Sequence, residues 1–347
     1  MEALIVRKFS VFLGLGILIS MLSSCGEDNT LCLYNWTYYT PDSVIQKFED
    51  EYGVKVKVDT YASNEEMYAK LLAGASGYDI VFPSQDYTSI MIQQKMVQKI
   101  DWTQIPNGKY ISPLVKEKAT YDPDFIYSVP YYMGAAGIVV NKKKVPNYEE
   151  SWNIFARKDL AGRMCMLDDM REVMGDALAY HGYSVNSLDL NELEIAENTI
   201  VNDWKPNLVK FDAEGYGKTF ASGDFWVVQG YAECVYSEVS KDHWDDIAFF
   251  VPKEGGPMYI DSMCVLKGSK HYDLAMEFIN FIHRPEIYAE FCDTFNFPSS
   301  VNTEAVKYMT EKPLYTADAM KNCEIKDDLA EGLATYNDIW QDIRYTK

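Results

Sequence analysis

LCLYNWTYYTPDSVIQKFEDEYGVKVKVDTYASNEEMYAKLLAGASGYDIVFPS, residues 31–84, decides the fold. Leu31 to Trp36 is an apolar run of strand length. Thr40-Pro41 follows, a proline placed to open a helix, and Val44, Ile45 and Phe48 recur at helical spacing. Val54, Val56 and Val58 alternate as a strand does. Ser63 and Glu66 form a capping box ahead of Met67, Leu71 and Leu72, which predicts a second helix. Tyr78 to Phe82 reads as a third strand, closed by Pro83-Ser84. Strand, helix, strand, helix, strand predicts a mostly parallel sheet with helices on both faces. Ligands of such sheets bind beyond the carboxyl ends of the strands, where Trp36-Thr37 and Ser84 both fall.

The pattern restarts further on. Gly137 to Asn141 and Arg163 to Leu167 read as strands, Arg171 to Tyr180 as a helix, Tyr259 to Leu266 as a strand and Tyr272 to Ile282 as an amphipathic helix. The length exceeds one average domain and implies two lobes. Neither a repeat nor a low-complexity linker separates them, so the chain is expected to cross between lobes several times and form a hinge.

The amino terminus carries its own signal. Arg7 and Lys8 precede an apolar run from Phe9 to Leu22, of signal-peptide length and too short to span a bilayer comfortably. Leu22-Ser23-Ser24-Cys25-Gly26 then has the bacterial lipobox pattern, in which Cys25 takes lipid and becomes the mature terminus. The expected plan is a signal peptide at 1–24 and a lipidated tether at 25–30, with the lipid as membrane anchor. Losing Glu2, Arg7 and Lys8, a net +1, takes the chain from −20 to −21. That charge excludes binding nucleic acid by neutralising phosphates. It is compatible with a cationic ligand. Six cysteines follow Cys25, none in a CxxC pair, so zinc and redox motifs are absent. Leu31-Cys32-Leu33 and Met164-Cys165-Met166 are runs in which a buried thiol is expected.

Four segments place aromatic rings and carboxylates near strand ends: Tyr34 to Tyr39, Pro83 to Tyr87, Leu167 to Val173 and Tyr259 to Ser262. An alkyl ammonium ligand needs both groups. Its charge is costly to bury without an Asp or Glu, and a ring face adds cation–π attraction. Each segment also has a plainer structural reading. Asp168-Asp169 can cap the helix that follows, Tyr34 to Tyr39 can be core aromatics, and Asp261 can be a turn residue after its strand.

The motifs YNWTYY (34–39), TYASNEEMYAKL (60–71), DIVFPS (79–84), MVQKID (96–101), DDMREV (168–173), VPKEGG (251–256) and IDS (260–262), in this order, resemble the spermidine/putrescine-binding proteins of bacterial ABC transporters. The likeness spans nearly the whole mature chain. It implies an α/β type II periplasmic-binding fold, two lobes joined by a hinge with the ligand cleft between them. Lobe 1 would comprise 31–135 plus 258–305, and lobe 2 136–257 plus 306–347. It also implies a monomeric, non-enzymatic protein on the periplasmic or extracytoplasmic face of the membrane, without cofactor or metal, that hands a polyamine to permease subunits. By the same resemblance, Trp36, Thr37 and Tyr39 supply ring and polar contacts, and Ser84 lies beside them. Asp169, Glu172 and Asp261 pair with amines, and Tyr231 and Tyr259 stand where the family often has Trp. The sequence departs from the family pattern at three of these positions. Asp86 replaces a usual aromatic, Phe297 a common Tyr, and Lys326 a Gln that touches ligand. A lysine there would repel an ammonium unless Asp327, Asp328 or Asp86 neutralised it.

Two other classes remain open on the residues alone. Tyr38-Tyr39 and Tyr131-Tyr132 suggest iron or another cation, although neighbours on a strand face opposite ways. Paired carboxylates suit glycoside hydrolysis. Against an enzyme, the four histidines form no HExxH, and GxSxG and GxxxxGK are missing.

Overall fold

A computed structural model describes residues 29–37 and 39–345. The chain begins β1 (Thr30–Trp36), α1 (Asp42–Tyr52), β2 (Lys55–Tyr61), α2 (Asn64–Leu72), β3 (Ile80–Val81), α3 (Gln85–Gln93), α4 (Pro113–Lys118) and β4 (Val129–Ala135). There follow β5 (Gly137–Asn141), β6 (Met164–Met166), α5 (Met170–Tyr180), α6 (Leu190–Asn198), β7 (Leu208–Phe211), α7 (Tyr216–Ala221), β8 (Val227–Gly230), α8 (Ala232–Tyr236) and β9 (Ile247–Phe250). The last elements are β10 (Pro257–Val265), α9 (Tyr272–Ile282), α10 (Pro285–Phe295), β11 (Glu324–Ile325) and α11 (Leu333–Tyr345).

Local chemistry accounts for the helix boundaries. Pro41 stands at the N-cap of α1, and Gly53 ends that helix in the left-handed region at φ 65°, its N–H returning to the Glu49 carbonyl. Ser63 Oγ accepts the Glu66 N–H at 3.2 Å, while Glu66 Oε2 accepts from Ala62, one residue earlier than a strict capping box requires. On α9 the apolar stripe is sealed, with Met276, Phe278, Ile279, Phe281 and Ile282 buried. Each such side chain contributes roughly 1.5–3 kcal/mol by leaving water.

Two sheets result. The first runs β11-β10-β3-β1-β2 with β4 also on β10, and the second runs β7-β6-β8-β5-β9. Pairing is mixed rather than mostly parallel. β1 is parallel to β2 and β3, but β10 is antiparallel to β3 and β4. In the second sheet β6 is parallel to its neighbours, and β5 is antiparallel to β8 and β9. The returning segments cause the mixture: β4 runs almost directly into β5, and β9 into β10, so these strands enter their second sheet from the opposite end. The third strand is also shorter than Tyr78 to Phe82. The Asp79 carboxylate takes the Cys32 N–H at 2.8 Å, and Pro83 has no N–H to offer.

The chain passes between sheets at 135–137 and 250–257, and again after β11. Gly137 belongs at the first crossing because a Cβ there would stand 2.5 Å from the Phe250 carbonyl oxygen. The stretch 306–345 divides between the cores. Met320, Cys323 and Ile325 pack with the first sheet, and Leu329, Tyr336, Trp340 and Ile343 with the second. Cys165, Cys264, Cys292 and Cys323 are buried, Cys32 is half-buried and Cys234 is exposed. Among the described residues no helix is long and apolar enough to cross a membrane. The signal peptide, Cys25 and Tyr38 lie outside the described residues.

Candidate functional site

β1 ends at Trp36, between β3 and β2 in the first sheet. The Trp36 indole N–H donates to the Phe82 carbonyl at 2.8 Å, and its ring lies 4.7 Å from that of Tyr61. The indole is thereby fixed at the carboxyl ends of β1 and β3. Thr37 beside it is exposed, and its hydroxyl reaches only the Tyr61 carbonyl, at 3.4 Å.

Asp261 organises the first group. It does not follow its strand but sits inside β10, where the register with β4 slips by one residue and Tyr131 of β4 is passed over. The Tyr39 hydroxyl donates to one carboxylate oxygen at 2.6 Å and the Ser84 hydroxyl to the other at 2.6 Å. Only 4% of Asp261 is exposed. Burial pushes its carboxyl up to about 6, although the two hydroxyls pull it back. Its direct partners are neutral. The same burial, followed by the Asp261 charge, holds the Tyr39 phenol well above its ordinary range.

Glu172 organises the second group. Asp169 is the N-cap of α5, its carboxylate accepting the Glu172 N–H at 3.0 Å, so the capping expectation holds. Asp168 meets Arg344 at 3.2 Å. Glu172, one turn in, is fully buried. Its Oε1 accepts from the Tyr231 hydroxyl at 3.3 Å and from the Lys326 ammonium, while Oε2 is buried with no partner among the described residues. Lys326 therefore finds its counter-charge on Glu172 and not on Asp327 or Asp328. Burial opposes the lysine's charge, but Glu172, then Asp169 and Asp86, hold its ammonium above the ordinary value. Burial lifts the Glu172 carboxyl, with Lys326 working against that. Asp86, in the first turn of α3, is also lifted by burial and drawn back by Lys326.

Rings connect the two groups. Tyr231 meets Tyr259 edge-on at 5.9 Å, and Tyr132 lies 6.1 Å from Tyr259. Phe297 is buried and stacks on Tyr132 at 4.2 Å. Without a hydroxyl it supports the ring wall from behind, and the Tyr132 hydroxyl meets that of Tyr315 at 3.0 Å. Gly134 makes room for Tyr259, since a Cβ there would lie 2.6 Å from its hydroxyl.

The sequence reading missed two residues. Gln85 is almost fully buried and donates to the Lys326 carbonyl at 2.8 Å while accepting the Ile260 N–H at 3.0 Å. It ties Lys326 to β10. The adjacent Ser84 and Asp86 drew attention, yet nothing local marked Gln85. Glu233, two residues past Tyr231, is pushed up to about 7 by burial, and its charge bears on Tyr132, Tyr259 and Tyr315. Its place after a ring-bearing strand end was the available signal.

Carboxylates, hydroxyls and ring faces thus meet between the two sheets, and Lys326 acts electrostatically on both carboxylate groups. Of the tyrosines considered for iron, Tyr39 bonds Asp261, Tyr131 is buried and bonds the Tyr39 carbonyl at 2.9 Å, and Tyr132 pairs with Tyr315. Among the described residues no group of three or more His, Cys, Asp or Glu is arranged to hold a metal ion.

Comparison with known proteins identifies the family and the fold. Residues 43–322 match the family model described as bacterial extracellular solute-binding protein. The chain is 33% identical over 326 residues to the spermidine/putrescine-binding periplasmic protein of Escherichia coli K12, covering 92% of each. It is 51% identical to the crystal structure of the TpPotD lipoprotein of Treponema pallidum, with a TM-score of 0.88 and coverage of 91% of this chain and 99% of that one. The spermidine/putrescine ABC transporter substrate-binding protein PotD of Streptococcus pneumoniae superposes with a TM-score of 0.82 at 26% identity, covering 91% and 98%.

Proposed function

Because this chain belongs to the bacterial extracellular solute-binding proteins, a transport family and not an enzyme family, we propose that it captures a polyamine of the spermidine or putrescine kind for ABC-transporter permease subunits. In this reading a lipid on Cys25 holds it to the membrane. The relatives named above support the ligand class.

Asp261 carries the proposal. A carboxylate 4% exposed, bonded directly by two hydroxyls and lifted to about 6, is a charge buried short of compensation. An ammonium between Asp261 and the nearby Asp86 supplies that compensation. Trp36, Tyr231 and Tyr259 offer ring faces to the methylenes, and Thr37 a hydroxyl at the rim. A charge-assisted hydrogen bond contributes about 1.5–3 kcal/mol and a cation over a ring about 0.5–2. One paired end and a sandwiched chain, at about 0.8 kcal/mol for each buried methylene, together approach the roughly −8 kcal/mol of a micromolar binder. Two lobes hinged at 135–137 and 250–257 close over the guest.

The test is a thermal-shift screen of putrescine, cadaverine, spermidine and spermine beside ferric and zinc salts. At least one amine is expected to raise the unfolding temperature, since it binds only the folded form. A rise with a metal and with no amine contradicts the proposal.

A further inference from the structure

An ammonium entering this cleft needs a carboxylate that lacks a cation. Asp261 is bonded directly by hydroxyls alone, whereas Glu172 already meets an ammonium of the chain's own. That ammonium is built in. The Lys326 side chain is 16% exposed and Glu172 fully buried, and Lys326 is pinned on both sides. Its N–H donates to the Met258 carbonyl at 3.2 Å, and its carbonyl accepts from buried Gln85 at 2.8 Å. A lysine side chain is four methylenes ending in an ammonium, the chemistry of one end of an alkyl diamine. The neighbouring contacts suit it: the Tyr231 hydroxyl shares Glu172 Oε1 at 3.3 Å, and the charges of Asp169 and Asp86 bear on it.

We propose that Lys326 is a tethered ammonium occupying the amine place at Glu172, so that the cleft takes a ligand with one cationic end fewer than its carboxylates would otherwise hold. The inference rests on the amine-binding reading above and names Lys326 as the residue that sets ligand charge. A shorter, less charged amine gains relative to a longer one, because a second ammonium brought to Glu172 would face Lys326. A capped, uncharged end is tolerated there.

Calorimetry with putrescine, spermidine and the two mono-acetylated spermidines tests this on the intact protein and on Lys326→Gln. In the unmodified protein the tighter acetylated isomer is expected to bind within about threefold of spermidine, since the lost ammonium had no free partner. Lys326→Gln is expected to improve spermidine relative to putrescine by about tenfold or more, and to make acetylation costly by a similar factor. Lys326→Arg keeps the charge and is expected to keep the original preference. In Glu172→Gln/Lys326→Gln, which removes both charges together, the spermidine gain is expected to vanish. An acetylated ligand about tenfold weaker than spermidine in the unmodified protein overturns the inference without needing any variant to fold. So does an unchanged spermidine-to-putrescine ratio in a folded Lys326→Gln. Binding of amines in either case leaves the wider reading standing. Absence of binding by every amine overturns both.

Discussion

Asp261 and Glu172 are both carboxylates buried between the two sheets, yet they are satisfied in opposite ways. Asp261, in the first sheet, is held by the Tyr39 and Ser84 hydroxyls, which orient it without cancelling its charge. Glu172, on α5 over the second sheet, meets the Lys326 ammonium. Among the described residues Asp261 has no directly bonded cation, whereas Glu172 has one. Burial alone therefore does not tell the two acids apart; the charge of the bonded partner does.

Removing each acid in turn should break the symmetry between them. Glu172→Gln leaves the Lys326 ammonium buried without its main counter-charge, and we expect a loss of about 3 kcal/mol in unfolding free energy by denaturant titration. An unchanged midpoint and slope would show that the pair does not contribute to stability. Asp261→Asn should act on binding instead. Putrescine is expected to weaken by about 2–3 kcal/mol in calorimetry. The unfolding free energy at pH 7.5 should stay level or rise, because a buried charge has been removed. Equal damage to stability in both variants would erase the distinction.

A smaller effect sharpens the same contrast through pH. The folded, ligand-free Asp261 carboxyl titrates near 6, above the roughly 3.9 of an unfolded aspartate. The folded state thus binds the extra proton between about pH 4 and 6, and this group's contribution to stability falls as pH rises through that window. Ligand binding has the opposite dependence, since an ammonium needs the ionised form. Affinity for putrescine should drop about tenfold from pH 7 to 5, as the free carboxyl becomes protonated. Calorimetry at the two values checks it, and equal affinities would remove Asp261 as the counter-charge.

Much of the scaffold was legible because its signals are local. The run Leu31 to Trp36, the cap at Asp169 and the stripe of α9 each lie within a dozen residues, and the structure has them where the spacing predicts. The direction of β10 was not legible, since antiparallel pairing depends on how the chain returns from the second sheet. The burial of Asp261 inside β10 leaves no mark in Tyr259-Ile260-Asp261-Ser262. For Lys326 the sequence offered its neighbours Asp327 and Asp328 and the distant Asp86 as partners. The contact is instead with Glu172, 154 positions away, and is brought about by the crossing after β11. Gln85 escaped notice for the same reason, because its two bonds join β10 and Lys326 only once the sheet has formed.

A crystal structure with putrescine bound is the most direct measurement. An amine nitrogen is expected within hydrogen-bond reach of the Asp261 carboxylate, with Lys326 still seated on Glu172. An amine nitrogen seated on Glu172, with the lysine displaced and Asp261 bonded only to its two hydroxyls, would contradict it.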